Sequence, residues 1–344
     1  MEYEIELKLL TNQYAGEIIE KKLLPQLDAS VTQQTLVLTN HYFDTPDRKL
    51  RQNDIGLRIR GFNQKYEQTL KTAGNSIGGL HQRPEYNVDL DESKQQSVKI
   101  PDLRLFPLSA WPKSIEVEDI QAGLETLFTT HFQRSVYLLE YSQGDVVELV
   151  WDLGEVRSGG KSVPICEIEL ELKQGDTKIL FDLAESIVAL MPTSIGTQSK
   201  AARGYRLLDG FPANTLRKNQ QRPLDNAPKS AQEFSLVLAE KLQFFQTLSV
   251  EVQRQYSEQL ANDITLVLDE LSNSLIKFTQ HFPCEHLDTI LTKVKKLHSD
   301  WLLVMQRKNK DATNKILTDA LTTQLQLDIV QYLVEQPWAS KVEE

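Results

Sequence analysis

The chain has 344 residues, 40% of them hydrophobic and 25% charged, and carries a formal net charge of −10. That length suits two domains better than one, and the composition is that of a globular protein, not a disordered or fibrous one. Net acidity disfavours nucleic acid, whose backbone calls for clustered Lys and Arg, but leaves room for a small polyanion in a locally basic pocket.

From the N-terminus to about Gly210 the sequence alternates with period two over many short segments, which predicts strands. In the first, Glu2, Glu4, Glu6 and Lys8 share one face, and Tyr3, Ile5, Leu7 and Leu9 the other. Taken alone, that charged face is simply a solvent face. The pattern then repeats. Arg58 and Arg60 lie opposite Leu57 and Ile59, and Lys65, Glu67, Thr69 and Lys71 share a face, as do Arg83 and Glu85. Further on, Glu148 and Asp152 oppose Val147, Leu149 and Trp151, while Glu167, Glu169 and Glu171 oppose Cys166, Ile168, Leu170 and Leu172. Like charges two residues apart on a strand repel by roughly a few tenths of a kcal/mol, a cost that a counter-charge or ligand must offset. A closed barrel with arginine-bearing and carboxylate-bearing strands around one lumen provides that offset. Paired carboxylates suit magnesium or manganese, and arginine forks suit phosphate oxygens. Together they point to a metal–polyphosphate complex.

The stretch from Phe211 to Pro228 holds three prolines among polar residues and reads as a linker. The expected organisation is a domain over 1–210, a linker over 211–229 and a helical domain over 230–344. Ser230-Ala231-Gln232-Glu233 has the form of a capping box, followed by Phe234, Leu238, Leu242 and Phe245 at helical spacing. Amphipathic runs near Val252–Phe282, Leu287–Arg307 and Ala312–Glu335 predict a bundle of about four helices. His281, His286 and His298 have no metal-ligand spacing and read as ordinary surface or part-buried residues. Cys166 and Cys284 lie far apart, and no apolar run reaches bilayer length. With no signal-peptide pattern at Met1-Glu2-Tyr3-Glu4, the expected setting is reducing and cytoplasmic, without a membrane partner.

Glu4-Ile5-Glu6-Leu7-Lys8 has the form E-x-E-x-K, and with the segments that follow it resembles the CYTH superfamily of triphosphate tunnel metalloenzymes. The resemblance continues through Tyr42-Phe43-Asp44-Thr45-Pro46, Gly56-Leu57-Arg58-Ile59-Arg60, Thr69-Leu70-Lys71, Arg83-Pro84-Glu85 and Phe132-Gln133-Arg134. It runs on through Trp151-Asp152-Leu153-Gly154 and Glu167-Ile168-Glu169-Leu170-Glu171-Leu172 to Ser199-Lys200-Ala201-Ala202-Arg203-Gly204-Tyr205. Gly78 to Asn87 and Pro164 to Glu167 look like the bacterial inorganic triphosphatase branch. The fold this implies is α+β: an eight-stranded antiparallel β-barrel, the triphosphate tunnel, with flanking helices and a C-terminal all-α bundle. The bundle stands where related bacterial proteins carry a CHAD module and is at most CHAD-like, since it shows no run of paired arginines; polyphosphate binding is not carried over to it.

Carried over residue by residue, the resemblance implies that Lys8, Arg58, Arg60, Lys71, Arg134 and Lys200 grip phosphate, with Arg83 and Arg203 as additions. It implies that Glu4 and Glu6 hold a first Mg2+ or Mn2+ ion, and that Asp152, Glu167 and Glu169 hold a second ion that activates water. Glu85 and Glu171 are expected to pair with lumen bases. The expected activity is hydrolysis of inorganic triphosphate or short polyphosphate. The alternatives are thiamine triphosphatase or adenylate cyclase chemistry, with Tyr42 and Phe43 as an aromatic surface, or a non-catalytic polyphosphate-binding module.

Overall fold

The computed structural model describes residues 2–63, 65–90, 100–210, 230–281, 284–307 and 309–336. The chain divides into two compact units: Met1–Ser76, Leu80–Leu180 and Gln198–Phe211 in one, Ile77–Gly79, Phe181–Thr197 and Pro212–Glu344 in the other. The 211–229 linker lies outside the described residues.

In the first unit, eight of the amphipathic segments form long strands. They are β1 (Glu2–Leu10), β2 (Ala29–Asp44), β3 (Gly56–Phe62), β4 (Lys65–Lys71), β5 (Leu80–Leu90), β6 (Glu125–Tyr141), β7 (Val146–Ser158) and β8 (Lys161–Gln174). They run antiparallel in the order β1-β8-β7-β6-β2-β3-β4-β5, and β5 returns to β1, so the eight long strands close into a barrel. Tight turns hold the register. Between β7 and β8, Gly159 and Gly160 take φ of +53° and +78°, the left-handed pair that a two-residue hairpin turn requires. Register decides function here, because a slip of one residue would turn every ionic side chain outward.

As built, Lys8 lies opposite Glu169, Glu4 opposite Arg83, Arg134 opposite Asp152, Asp152 opposite Glu167, and Lys71 opposite Glu85. The alternate residues face outward and form the apolar core. Leu7, Leu9, Leu149, Ile168 and Leu170 are fully buried, each contributing on the order of 1.5–3 kcal/mol. Leu57, Ile59 and Leu70 pack with Leu103, Phe106, Trp111 and Ile120, so the segment from Pro101 through α3 (Val117–Gly123) covers β3 and β4. Near the N-terminus, α1 (Ala15–Ile18) crosses β7 so closely that a Cβ on Gly16 would lie 2.4 Å from the Trp151 ring. After β2, the short α2 (Lys49–Gln52) leads into β3. The division between units falls inside α4 (Lys178–Leu190), and α5 (Lys200–Asp209) returns to the barrel.

The second unit contains α6 (Ala231–Arg254), α7 (Glu258–His281), α8 (Glu285–Gln306), α9 (Lys310–Leu317) and α10 (Ala320–Glu335). Ser230 caps α6 by accepting from Glu233 N at 3.1 Å. Phe234 stacks on Phe278, and the buried Trp301 Nε1 donates to Thr265 Oγ1 at 3.1 Å. The run expected over Ala312–Glu335 breaks into two helices because Asp319 accepts from Thr322 N at 2.9 Å, starting a new helix inside a continuous apolar pattern. His286 lies against Tyr332 and His298 faces Asp269. No helix of the described residues is long and apolar enough to cross a membrane.

Candidate active site in the barrel lumen

The lumen has an acidic side built by β6, β7, β8 and β1, with α5 set against it. Ser199 starts α5 by accepting from Ala202 N at 3.1 Å. Gly204 then lets the helix lie on the Phe128 ring, where a Cβ would come within 2.1 Å. One turn apart on this helix, Lys200 and Arg203 reach into the lumen.

Asp152, Glu167 and Glu169 converge there, with carboxylate oxygens mutually within 4.8 Å. Asp152 and Glu167 are fully buried. Such charges persist only when paired. Arg134 Nε and Nη2 hold Asp152 in a two-pronged contact at 2.8 and 2.7 Å, and Nη2 also reaches Glu169 at 2.7 Å. Lys8 Nζ lies 2.8 Å from Glu169, and Arg203 pairs with Glu167. Lys200 Nζ contacts all three carboxylates. Burial disfavours ionisation of Asp152, but Arg134 and Lys200 outweigh it and hold the carboxyl below its usual range. Glu169 is held well below for the same reason, by Lys200, Lys8 and Arg134.

The opposite wall is basic. Arg58 pairs loosely with Glu85 at 3.6 Å, and Lys71 reaches Glu85 at 3.1 Å and also Glu4. Arg60 differs from the rest. Its Nε donates to Asn40 Oδ1 at 3.0 Å, and no carboxylate pairs with it among the described residues. Burial chiefly, helped by Arg58 and Arg134 and opposed by Glu67, lowers its pKa to about 10. No acceptor meets the buried Nε–H of Arg58 or Arg203 either. Burial chiefly, helped by Glu6 and Glu85 and opposed by Lys71, pushes Glu4 up to about 7, while Lys71 and Arg58 overcome burial to bring Glu85 down to about 2.

The structure therefore brings Lys8, Arg134, Lys200 and Arg203 around Asp152, Glu167 and Glu169, and sets Arg58, Arg60 and Lys71 on the facing wall. Glu4 and Glu6 stand outside the triad, on Lys71 and Lys8 respectively. Arg83 turns to Asp54 at 3.5 Å, and Glu171 pairs with Lys173 at 2.6 Å. Neither Tyr42 nor Phe43 offers a free aromatic surface. Tyr42 stacks on Phe128 at 4.8 Å and Phe43 belongs to the outer core.

Asn40 and Asp44 went unnoticed as functional in the sequence. Asn40 shares the lumen phase with Tyr42, the one hint available. Asp44 accepts from Thr45 N, Leu50 N, Arg51 N and Tyr205 Oη, and so ties α5 to β2.

The triad fits a hard divalent cation, since three convergent carboxylate oxygens are what Mg2+ or Mn2+ takes. The orphaned guanidinium donors, Arg58 Nε across from the triad and Arg203 Nε beside it, fit an anion rich in oxygens.

A family model described as the CYTH domain matches residues 2–205. The inorganic triphosphatase of Haemophilus influenzae is 39% identical over 207 residues, covering 59% of this chain and 54% of that protein. The Bacillus subtilis protein YjbK is 32% identical over 127 residues, covering 37% of this chain and 57% of its own. The matched region thus spans little more than half the length of these curated relatives. Among solved structures, HpAC1 from Hippeastrum is 20% identical with a TM-score of 0.40, covering 59% of this chain and 95% of that one. The PH1819 protein of Pyrococcus horikoshii is 20% identical with a TM-score of 0.38, covering 60% and 99%.

Proposed function

The chain belongs to the CYTH domain family, and from that premise we propose that it hydrolyses inorganic triphosphate to diphosphate and phosphate with a divalent cation. The observation that carries this reading is the pairing, inside one closed barrel, of a buried carboxylate triad with an arginine wall whose Arg60 has no carboxylate partner among the described residues. A polyanion alone would need only the wall. Carboxylates packed against it are explained by a cation arriving with the anion.

Asp152, Glu167 and Glu169 would hold one Mg2+ or Mn2+ ion, and Glu4 and Glu6 another. Such an ion, when bound, lowers the pKa of a coordinated water and screens phosphate charge. The chain's own residues supply position and charge. Arg58 and Arg60 bind phosphate oxygens from one wall, and Arg134, Lys8 and Lys200 do so from the other. Lys71 reaches the same space from β4, and Arg83 and Arg203 stand at its margins. Protein donors that replace the substrate's water shell keep their orientation as charge shifts in the reaction. No covalent nucleophile is required, because water adds across the P–O–P bond and the leaving diphosphate takes the electron pair.

Phosphate release from tripolyphosphate, ATP and thiamine triphosphate, each with Mg2+, Mn2+ or chelator, tests the reading. Tripolyphosphate is expected to be the best substrate and chelator to stop turnover. Cyclic nucleotide from ATP, or full activity in chelator, would overturn it. The double variant Glu4→Gln, Glu6→Gln is expected to lose turnover yet keep much of its affinity for tripolyphosphate. Equal loss of both would count against a metal role for these two residues.

Glu4 adds a pH dependence. With its pKa raised to about 7, it is protonated in mildly acidic solution, and a cation must displace that proton. Mn2+ affinity at this position is expected to fall by up to about tenfold per pH unit below 7 and to level off above 8. Calorimetric titrations from pH 5.5 to 8.5 measure this, and a flat profile would remove Glu4 from the ligand set.

A further inference from the structure

The carboxylates assigned to the water-activating ion surround a side-chain cation of the protein itself. Lys200 Nζ lies 2.7 Å from Asp152 Oδ2, 2.5 Å from Glu167 Oε1 and 3.0 Å from Glu169 Oε1. Among the described residues it is the one side chain that touches all three. The other bases each reach fewer: Arg134 holds Asp152 and Glu169, Arg203 holds Glu167, and Lys8 holds Glu169 with Glu167 at 4.0 Å. An ammonium within contact distance of three convergent oxygens sits where a divalent ion with those ligands would sit.

Charge sharpens the point. Asp152, Glu167 and Glu169, with Glu6 at 3.6 Å from Lys8, bring four negative charges, and Lys8, Arg134, Lys200 and Arg203 bring four positive ones. A divalent cation added to that balanced, buried set without an anion would leave an excess of two positive charges, which a low-dielectric interior opposes. Adding a polyphosphate reverses the sign and gives the four bases other oxygens to bind. Lys200 is suited to the exchange, having a flexible four-carbon stem at the first turn of α5 and the Phe132 ring face 5.1 Å from its nitrogen.

We infer that Lys200 is a tethered cation that closes the Asp152–Glu167–Glu169 site, and that a divalent ion enters there only with a polyphosphate that draws Lys200 away. This rests on the proposed triphosphatase reading and adds an order of assembly to it. Thermodynamic linkage makes the effect mutual, since the anion must raise affinity for the ion by the same factor as the ion raises affinity for the anion.

Mn2+ binding to the full chain, followed by calorimetry and electron paramagnetic resonance, tests the inference. The probe anion is the non-hydrolysable imido analogue of tripolyphosphate. In the wild type, the analogue is expected to raise Mn2+ affinity at the triad roughly 100-fold. Lys200→Met is expected to bind Mn2+ at the triad without the analogue, and to gain more thermal stability from Mn2+ than the wild type does. Lys200→Arg, which keeps the charge, is expected to behave like the wild type. Wild type that fills the triad as tightly without the analogue as with it would overturn the inference, and this measurement does not depend on any variant folding. Failure of the underlying reading looks different: no Mn2+ signal sensitive to Glu169→Gln would appear even with the analogue present.

Discussion

Replacing Glu169 with Gln is expected to lower kcat for tripolyphosphate by roughly 10²–10³-fold, about 2.7–4 kcal/mol of barrier. Glu169 meets three bases, with Lys8 at 2.8 Å, Arg134 at 2.7 Å and Lys200 at 3.0 Å. Glutamine keeps the shape and removes the charge. One anionic oxygen ligand for the cation is lost, while the lumen becomes more positive by one unit, so affinity for the polyanion should hold or rise. The expected signature is therefore a fall in kcat with KM unchanged or lowered. A raised KM at normal kcat would place Glu169 among groups that merely shape the tunnel. The variant also strands buried bases, a change of about 3–5 kcal/mol in stability when one partner of a buried pair is removed. Circular dichroism at the assay temperature must accordingly show the chain still folded before the rates are compared.

Asp44→Ala is expected to destabilise the barrel unit by about 4 kcal/mol, since each buried donor left unsatisfied costs about 1–3 kcal/mol. The Asp44 side chain is fully buried. It accepts from Thr45 N at 2.7 Å, Leu50 N at 2.8 Å, Arg51 N at 3.1 Å and Tyr205 Oη at 2.7 Å. Alanine leaves all of these donors without that acceptor. Tyr205→Phe removes a single hydrogen bond and is expected to cost only about 1–2 kcal/mol. The denaturant midpoint of the barrel unit, at unchanged slope, reads both. The two variants should also share a functional defect, because Tyr205 lies on the helix that carries Lys200 and Arg203. If Tyr205→Phe alters neither stability nor tripolyphosphate affinity, the Asp44–Tyr205 contact does not set the position of α5.

Much of the barrel can be read from the sequence because a strand has a period of two. Once Glu4, Glu6 and Lys8 occupy one phase and Leu7 and Leu9 the other, the face each will share is decided before folding begins. The same holds for Arg58 with Arg60 and for Glu167 with Glu169. Helical spacing likewise revealed the C-terminal helices, and the Ser230 cap was visible in four residues. The break at Asp319 was not, because a cap residue within an amphipathic run looks like one more polar position on the exposed face.

Local sequence therefore determined which side chains are ionic, which strand bears them, and toward which face they point. Tertiary structure alone decided which acid meets which base: that Lys200 lies among Asp152, Glu167 and Glu169, that Arg60 donates to Asn40, and that Arg83 turns to Asp54. The physical reason is range. Strand phase depends on neighbouring dihedral angles, whereas these pairings depend on register between strands and on α5, brought together only when β5 closes on β1.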